Sequence, residues 1–461
     1  MKRLLKWFSI AIAVLLLAIA VFWFMYIRDL PKIEVALKPI NFTGVEKPGT
    51  HNCFWMGPVS IDSFNTAYPD GGALYWPSVF KFPNDADAYL EIKGKFPQAR
   101  YMSLHSYTTG AKPYDFLTDM NIKPDSGNSN PYVTGSYGDQ QNYTLKIMPG
   151  VVPETKQPNT IYLGPTENIS STPLILRIYV PETKEDLTGG SGLPSVTLVR
   201  GNGERVSGKQ LCAELENPII GGPKRFIAAP VIPMELYKKM MAIREVRESL
   251  LESKMDEWVV FWDPRIGVLR ISAPTLGWMM RKIAGAGLIK KSSGYYANFD
   301  NEYVSLYLND KFGKVVILEG KMPRTPTQGT QWSDSSKYDI RYWSLCTNEG
   351  LATTRFSDCV YDSNVVLDTN RDYKIVISKK ANRPDNATRE CGITWLDWGD
   401  KGDGAGNENI TLLLLRNMLA TAHFKQAIQN VPAVGKEKNT MGAHLPKPTY
   451  SSRAAFEKRG C

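Results

Sequence analysis

The chain has 461 residues, 43% hydrophobic and 11% aromatic, which is enough for more than one buried core and excludes an intrinsically disordered protein. Its formal charge of +9 sits mostly at the ends: residues 1–34 hold five basic and two acidic groups, and residues 431–461 hold six and two. The middle is close to neutral, which excludes the concentrated basic footprint a nucleic-acid partner requires.

The first predicted element is a membrane span. Trp7 to Ile27 is apolar except for Ser9, and at about 1.5 Å per residue it crosses a hydrocarbon core of about 30 Å. Lys2, Arg3 and Lys6 precede it, so residues 1–27 read as a cytoplasmic stub and anchor, with everything after Ile27 exported. Ala18-Ile19-Ala20 offers a cleaved signal peptide as the alternative, but the apolar run continues through Val21 to Met25.

Residues 28–48 read as a proline-punctuated linker. Residues 49–230 then read as a first β lobe of short strands separated by Gly, Pro, Asn and Asp clusters. Residues 231–292 read as a helical connector: Leu236, Met240, Ile243, Val246 and Leu250 predict an amphipathic helix over Met234 to Trp258, and Leu276 to Lys291 predicts a second. Residues 293–430 read as a second β lobe ending in a helix over Asn417 to Asn430, and residues 431–461 as a basic, solvated tail.

The two β lobes share an order of segments. Ile92 to Pro97 followed by Arg100-Tyr101-Met102-Ser103-Leu104 is answered by Leu318 to Pro323 followed by Arg341-Tyr342-Trp343-Ser344-Leu345. Tyr143 to Ile147 answers Tyr373 to Ile377, Ile161 to Leu163 answers Thr394 to Leu396, and Leu174 to Arg177 answers Leu413 to Arg416. Five matches in one order predict an internal duplication.

These segments, GKFPQARYMSL, NTIYLGP and PLILRIYVPE with DNEYVSLYLNDKFGKVVILEGKMP and RYWSLCTNEG, resemble an uncharacterised bacterial family of exported proteins similar to jelly-roll domains of unknown function. The resemblance covers most of residues 90–420. It implies a mainly β fold with helical insertions, two jelly-roll-like β-sandwich lobes behind the transmembrane helix, and it implies no activity. With the anchor it implies a bacterial inner-membrane protein whose bulk lies in the periplasm.

An oxidising compartment makes disulfides the expected use of the six cysteines. Cys346 and Cys359 flank a loop between two strand-like runs and are the first expected pair, Cys53 with Cys212 the second. Gly203 to Lys209 has Walker A spacing, but Gln210 replaces the hydroxyl that would hold Mg²⁺, so the run reads as a hairpin turn. No cofactor motif is present, and none is expected. Asp397, Asp400 and Asp403 crowd a glycine-rich loop as candidate calcium ligands without EF-hand spacing.

The repeated strand carries the candidate site. Alternation places Tyr101, Ser103, His105 and Tyr107 on one face, with Tyr342, Ser344 and Cys346 on the matching face of the second lobe. Tyr101, Ser103, His105, Tyr342 and Ser344 are candidate ligand contacts, since aromatic bodies supply area and hydroxyls supply orientation. The bland alternative is hydrogen bonding within the sheet. The functional expectation is a membrane-anchored periplasmic binding or scaffold protein for a small amphipathic ligand, a glycan or an envelope partner. The alternative is an envelope hydrolase or lyase with His105 as base and Tyr101 or Tyr107 as acid.

Overall fold

The computed structural model describes residues 12, 36–39, 54–59, 65–85, 87–108, 111–165, 172–183, 185–215, 228–231, 234–242, 258–260, 296–327 and 333–461. The expected membrane span over residues 7–27, apart from Ile12, and the second connector helix, residues 276–291, lie outside the described residues, as does Cys53. Among the described residues no helix is long and apolar enough to cross a membrane. The described chain is mainly β, with several sheets and a few short helices.

Within residues 54–215 the strands are β1 (Ala73–Phe80), β2 (Tyr89–Lys95), β3 (Ala99–Tyr107), β4 (Pro113–Thr118), β5 (Asn142–Met148), β6 (Thr160–Tyr162), β7 (Thr172–Pro181), β8 (Ser195–Val199) and β9 (Arg205–Ser207). They form two sheets, ordered β1-β7-β3-β4 and β9-β8-β2-β5-β6. In the C-terminal half the strands are β10 (Val259–Val260), β11 (Asn301–Asn309), β12 (Val315–Lys321), β13 (Ile340–Asn348), β14 (Phe356–Tyr361), β15 (Asp372–Ser378), β16 (Ile393–Asp397), β17 (Ile410–Ala420) and β18 (Lys447–Ser451). Their sheets are ordered β10-β11-β17-β13-β14 and β16-β15-β12-β18.

Apart from the edge strands β9 and β10, each strand of the first half has the neighbours of the strand numbered ten higher in the second. The detail extends to register. Ser103 lies opposite Arg177, as Ser344 lies opposite Arg416. The β3–β4 ladder shifts register between Ser106 and Tyr107, the β13–β14 ladder between Thr347 and Asn348. β5–β6 and β15–β16 are both parallel, although Ile161 pairs with Ile147 as Leu396 does with Ile377, two residues from the alignment expected by sequence. A shift of two keeps the side chains on the same face.

Two packing devices recur. Gly94 and Gly320 lie opposite Tyr143 and Tyr373, whose hydroxyls would sit 2.5 and 2.7 Å from an added Cβ, so glycine is required for the ring to cross the strand. Trp55 donates its indole N–H to the Pro194 carbonyl at 2.8 Å, and Trp258 donates to the Pro446 carbonyl at 2.7 Å.

Each half has its own apolar core, shared by its two sheets. β3 and β13 are buried along their whole length, because both faces are covered. Met102 and Leu104 enter the first core and Trp343 and Leu345 the second, while Tyr101 and Tyr342 meet in a separate cluster with Tyr179 and Met418. Buried ion pairs cross between the halves: Arg341 to Asp119 at 2.7 Å, and Arg100 to Asp362. Each aspartate also accepts a backbone N–H from its own half, Met102 at 2.8 Å and Trp343 at 3.1 Å.

Two expectations are corrected. Asn417 to Asn430 is not a helix: β17 runs to Ala420 because its last residues pair with β13, and turns and a single 3-10 turn, Ile428–Asn430, follow. Residues 431–461 are not a loose tail. They carry helices Glu437–Met441 and Arg453–Glu457, supply β18 to a sheet, and end in Cys461, which is bonded to Cys391. The expected connector helix over Met234 to Trp258 is a helix over its described part, Met234–Ala242, residues 243–257 lie outside the described residues, and Val259 and Val260 form β10. Gly203 sits in the turn of the β8–β9 hairpin.

Candidate functional site

The face of β3 that carries Tyr101, Ser103, His105 and Tyr107 is covered by a segment of the second half, Tyr296 to Asn301. Tyr107 donates to the Ala297 carbonyl at 3.0 Å, and Tyr101 donates to Asn298 Oδ1 at 3.0 Å and to Asp300 Oδ2 at 2.6 Å. His105 Nε2 accepts the Phe299 N–H at 3.2 Å, and its ring stacks near Phe116 and Phe299, with centroids 5.1 and 5.9 Å away. Thr118 donates to Asp300 Oδ2 at 2.6 Å, and Arg177 donates to the Tyr296 carbonyl at 2.6 Å. Tyr101, Ser103, His105 and Tyr107 are all buried.

Burial dominates the electrostatics. It drives the His105 pKa well below 6.5, with Arg177 and Lys156 adding to the effect, so the imidazole is neutral at physiological pH. Burial also raises Asp300 above the usual carboxylate range, against the Thr118 and Tyr101 hydroxyls that favour its charged form. The Tyr101 phenol is pushed far above 10, first by burial and then by Asp300.

In the second half the corresponding cover is Tyr68 to Gly72. Asp70 accepts the Tyr342 hydroxyl at 2.5 Å, the Ser344 hydroxyl at 2.7 Å and the Gly72 N–H at 3.0 Å, with Arg416 Nε at 3.6 Å. Arg416 also donates to the Tyr68 carbonyl at 2.8 Å. The Cys346–Cys359 disulfide lies alongside, joining opposed residues of β13 and β14, with Arg416 Nη1 2.8 Å from Cys346 Sγ. Cys212 is also disulfide-bonded.

Asp397, Asp400 and Asp403 are not gathered into one ligand set. Asp403 is spent on the Ala405 and Asn407 amides and the Tyr237 hydroxyl, and Asp397 on the Gly399 N–H and Lys380. Among the described residues, the one group whose ligand atoms lie within 4.8 Å of each other is Asp70, Cys346 and Cys359. Two of those atoms are disulfide sulfurs, which do not supply thiolates.

Sequence reasoning missed a half-open cleft of about 1110 Å³ in the second half. Trp258, Tyr373 and Leu445 supply its apolar lining, and Lys321, Lys438 and Lys447 stand on it with no carboxylate within ion-pair reach among the described residues. Lys374 is 3.6 Å from Glu319, and Glu437 is engaged by the Val260 and Gly435 amides. Asp368 and Asp372 line the cleft as well, so its four lysines and four carboxylates are equal in number, and Lys321, Lys438 and Lys447 are the lysines left without an ion pair among the described residues. The Tyr373–Gly320 crossing fixes one wall, and the Cys391–Cys461 bond ties the C-terminal segment beside it.

No family model and no curated protein matches the sequence. The fold is similar to that of an uncharacterised protein from Burkholderia cenocepacia, at 10% identity over 88% of this chain and 84% of that one, TM-score 0.46. It is also similar to a protein from Vibrio parahaemolyticus, at 10% identity over 87% and 92%, TM-score 0.39.

Proposed function

We propose that this is a membrane-anchored binding protein of the bacterial cell envelope, made of two copies of one jelly-roll-like unit, which takes a small amphipathic acid in the C-terminal cleft. The observation that carries the binding reading is the cleft itself, an apolar floor of Trp258 and Tyr373 beside three lysines, Lys321, Lys438 and Lys447, that make no ion pair among the described residues. A ligand with an apolar body and one anionic end complements both features. The duplication is supported by the shared strand orders and by the paired Gly-Tyr and Trp-Pro contacts. The anchor and the periplasmic location rest on residues 1–27 and the positive-inside pattern.

A hydrolase or lyase centred on His105 is less well supported. Its Nε2 is occupied by a backbone N–H and its ring is fully buried against Phe116 and Phe299. A general base needs substrate within hydrogen-bond reach.

The test is tryptophan fluorescence of the full chain in lipid nanodiscs, titrated with octanoate, octanol and octylamine. Saturable binding is expected for octanoate, at least tenfold weaker in a Lys438→Glu/Lys447→Glu variant, with octylamine inactive. Equal responses to all three amphiphiles would refute the reading.

A further inference from the structure

We propose that Arg177 is the centre of a buried small-anion site in the first half, where Arg177, Ser103 and Asn298 take one monovalent anion of the size of chloride or formate. The argument begins with charge. Four described arginines are buried: Arg100, Arg177, Arg341 and Arg416. Three have a carboxylate partner, namely Asp362, Asp119 and Asp70 respectively. Among the described residues Arg177 has none within 4.0 Å. It is 2% exposed, with Tyr75 and Tyr107 rings 5.7 and 5.5 Å from its guanidinium carbon, and its Nη1 lacks an acceptor. A buried guanidinium stays charged, and an unpaired buried charge is costly.

The second half shows what is missing. Arg416 and Ser344, opposed across β17 and β13, both address Asp70 Oδ2. Arg177 and Ser103 are opposed in the same way across β7 and β3, and Asn298 occupies the place of Asp70. The Oδ1 atoms correspond: Asn298 Oδ1 accepts the Tyr101 hydroxyl and the Asp300 N–H, as Asp70 Oδ1 accepts the Tyr342 hydroxyl and the Gly72 N–H. Where Asp70 has its second carboxylate oxygen, Asn298 has an NH₂ group.

The result is four buried donors that β3, its neighbour β7 and the covering segment bring to one face of the sheet. Asn298 Nδ2, Arg177 Nη1 and His105 Nδ1 are buried without an acceptor, and Ser103 Oγ, buried beside the Tyr101 hydroxyl, makes no hydrogen bond within 3.5 Å. Because His105 Nε2 accepts the Phe299 N–H, the neutral ring carries its proton on Nδ1. Asp300 does not fill the gap, since Oδ2 is bonded to both the Tyr101 and Thr118 hydroxyls and no ion pair joins it to Arg177. One small anion supplies the acceptor and the negative charge that Asp70 supplies in the second half, and hydrogen bonds to an anion are the strong kind.

The site is tested on the full chain by thermal unfolding at constant ionic strength, with sodium gluconate replaced stepwise by sodium bromide or sodium formate. An anion that binds only the folded state raises Tm in a saturable way. The expected result is a saturable rise for wild type in bromide or formate. Asn298→Asp should show a higher Tm in gluconate and a response reduced at least tenfold, because the variant brings its own carboxylate. Bromide NMR line broadening by wild type, lost in Asn298→Asp, reads binding without depending on stability. A wild-type Tm indifferent to anion identity, or an Asn298→Asp variant that keeps the full response, overturns the proposal.

Discussion

Arg341 of the second half reaches Asp119 of the first, 2.7 Å away, and both side chains are sealed from solvent. Asp119 is held in turn by the Met102 and Met120 amides, so the pair is a junction between the two halves and not an isolated contact. Removing one partner leaves an uncompensated buried charge, which costs about 3–5 kcal/mol. Arg341→Met and Asp119→Asn should each lower the unfolding free energy by about that amount. Chemical denaturation of each variant checks this, and a loss below about 1 kcal/mol would mean that water reaches the pair.

The paired glycines make a second prediction. Gly94→Ala and Gly320→Ala should each destabilise by about 1–3 kcal/mol, because the new methyl meets Tyr143 or Tyr373. The cost should fall when the ring is removed first, in Tyr143→Leu and Tyr373→Leu backgrounds. A double-mutant cycle with no coupling in either half would contradict the close approach.

The pH dependence of stability tests the burial of His105. Its pKa is lowered in the folded chain, so below 6.5 the unfolded chain binds a proton that the folded chain refuses. Stability therefore falls as pH drops below 6.5, by up to about 1.4 kcal/mol per unit for one group. His444, lowered by burial against its bond to the Lys321 carbonyl, contributes in the same direction. His105→Phe should flatten the slope between pH 6.5 and 5 relative to wild type. An unchanged slope would show that the ring titrates normally.

The disulfides should differ in weight. The Cys346–Cys359 and Cys391–Cys461 bonds span separations of 13 and 70 residues, which in the chain-entropy model correspond to about 3 and about 4 kcal/mol. Cys391→Ser should also weaken octanoate binding, since Cys391 lines the cleft and its bond ties the C-terminal segment in place. Cys359→Ser should leave that binding unchanged. Equal effects of the two variants on binding would contradict the placement of the ligand.

Much of the fold was legible because period-2 alternation survives in isolated segments. Arg100 to Tyr107 and Arg341 to Cys346 divide into the two faces that the alternation predicts. Alternation names a face, however, and not what covers it. The cover comes from Tyr68 to Gly72 and Tyr296 to Asn301, short loop segments whose only common signal is a Tyr two residues before Asp70 or Asn298. Polar side chains facing an unseen neighbour look the same in sequence as side chains facing a ligand.

The cleft was illegible for a related reason. Trp258, Tyr373, Lys438 and Lys447 come from separate stretches, and Lys447–Ser451 has the exposed and half-buried pattern of an edge strand with no apolar period. Its charge dominated the reading of a tail that β12 in fact recruits. At Asn417 to Ala420, strand pairing overrode local helical preference.

The most direct test of the central claim is native mass spectrometry of the full chain purified from its native source without added amphiphile, alongside the Lys438→Glu/Lys447→Glu variant. The account predicts that wild type carries a single adduct which organic extraction identifies as a small amphipathic acid, and that the variant has lost it. A wild-type spectrum at the bare protein mass, or the same adduct on both proteins, would contradict it.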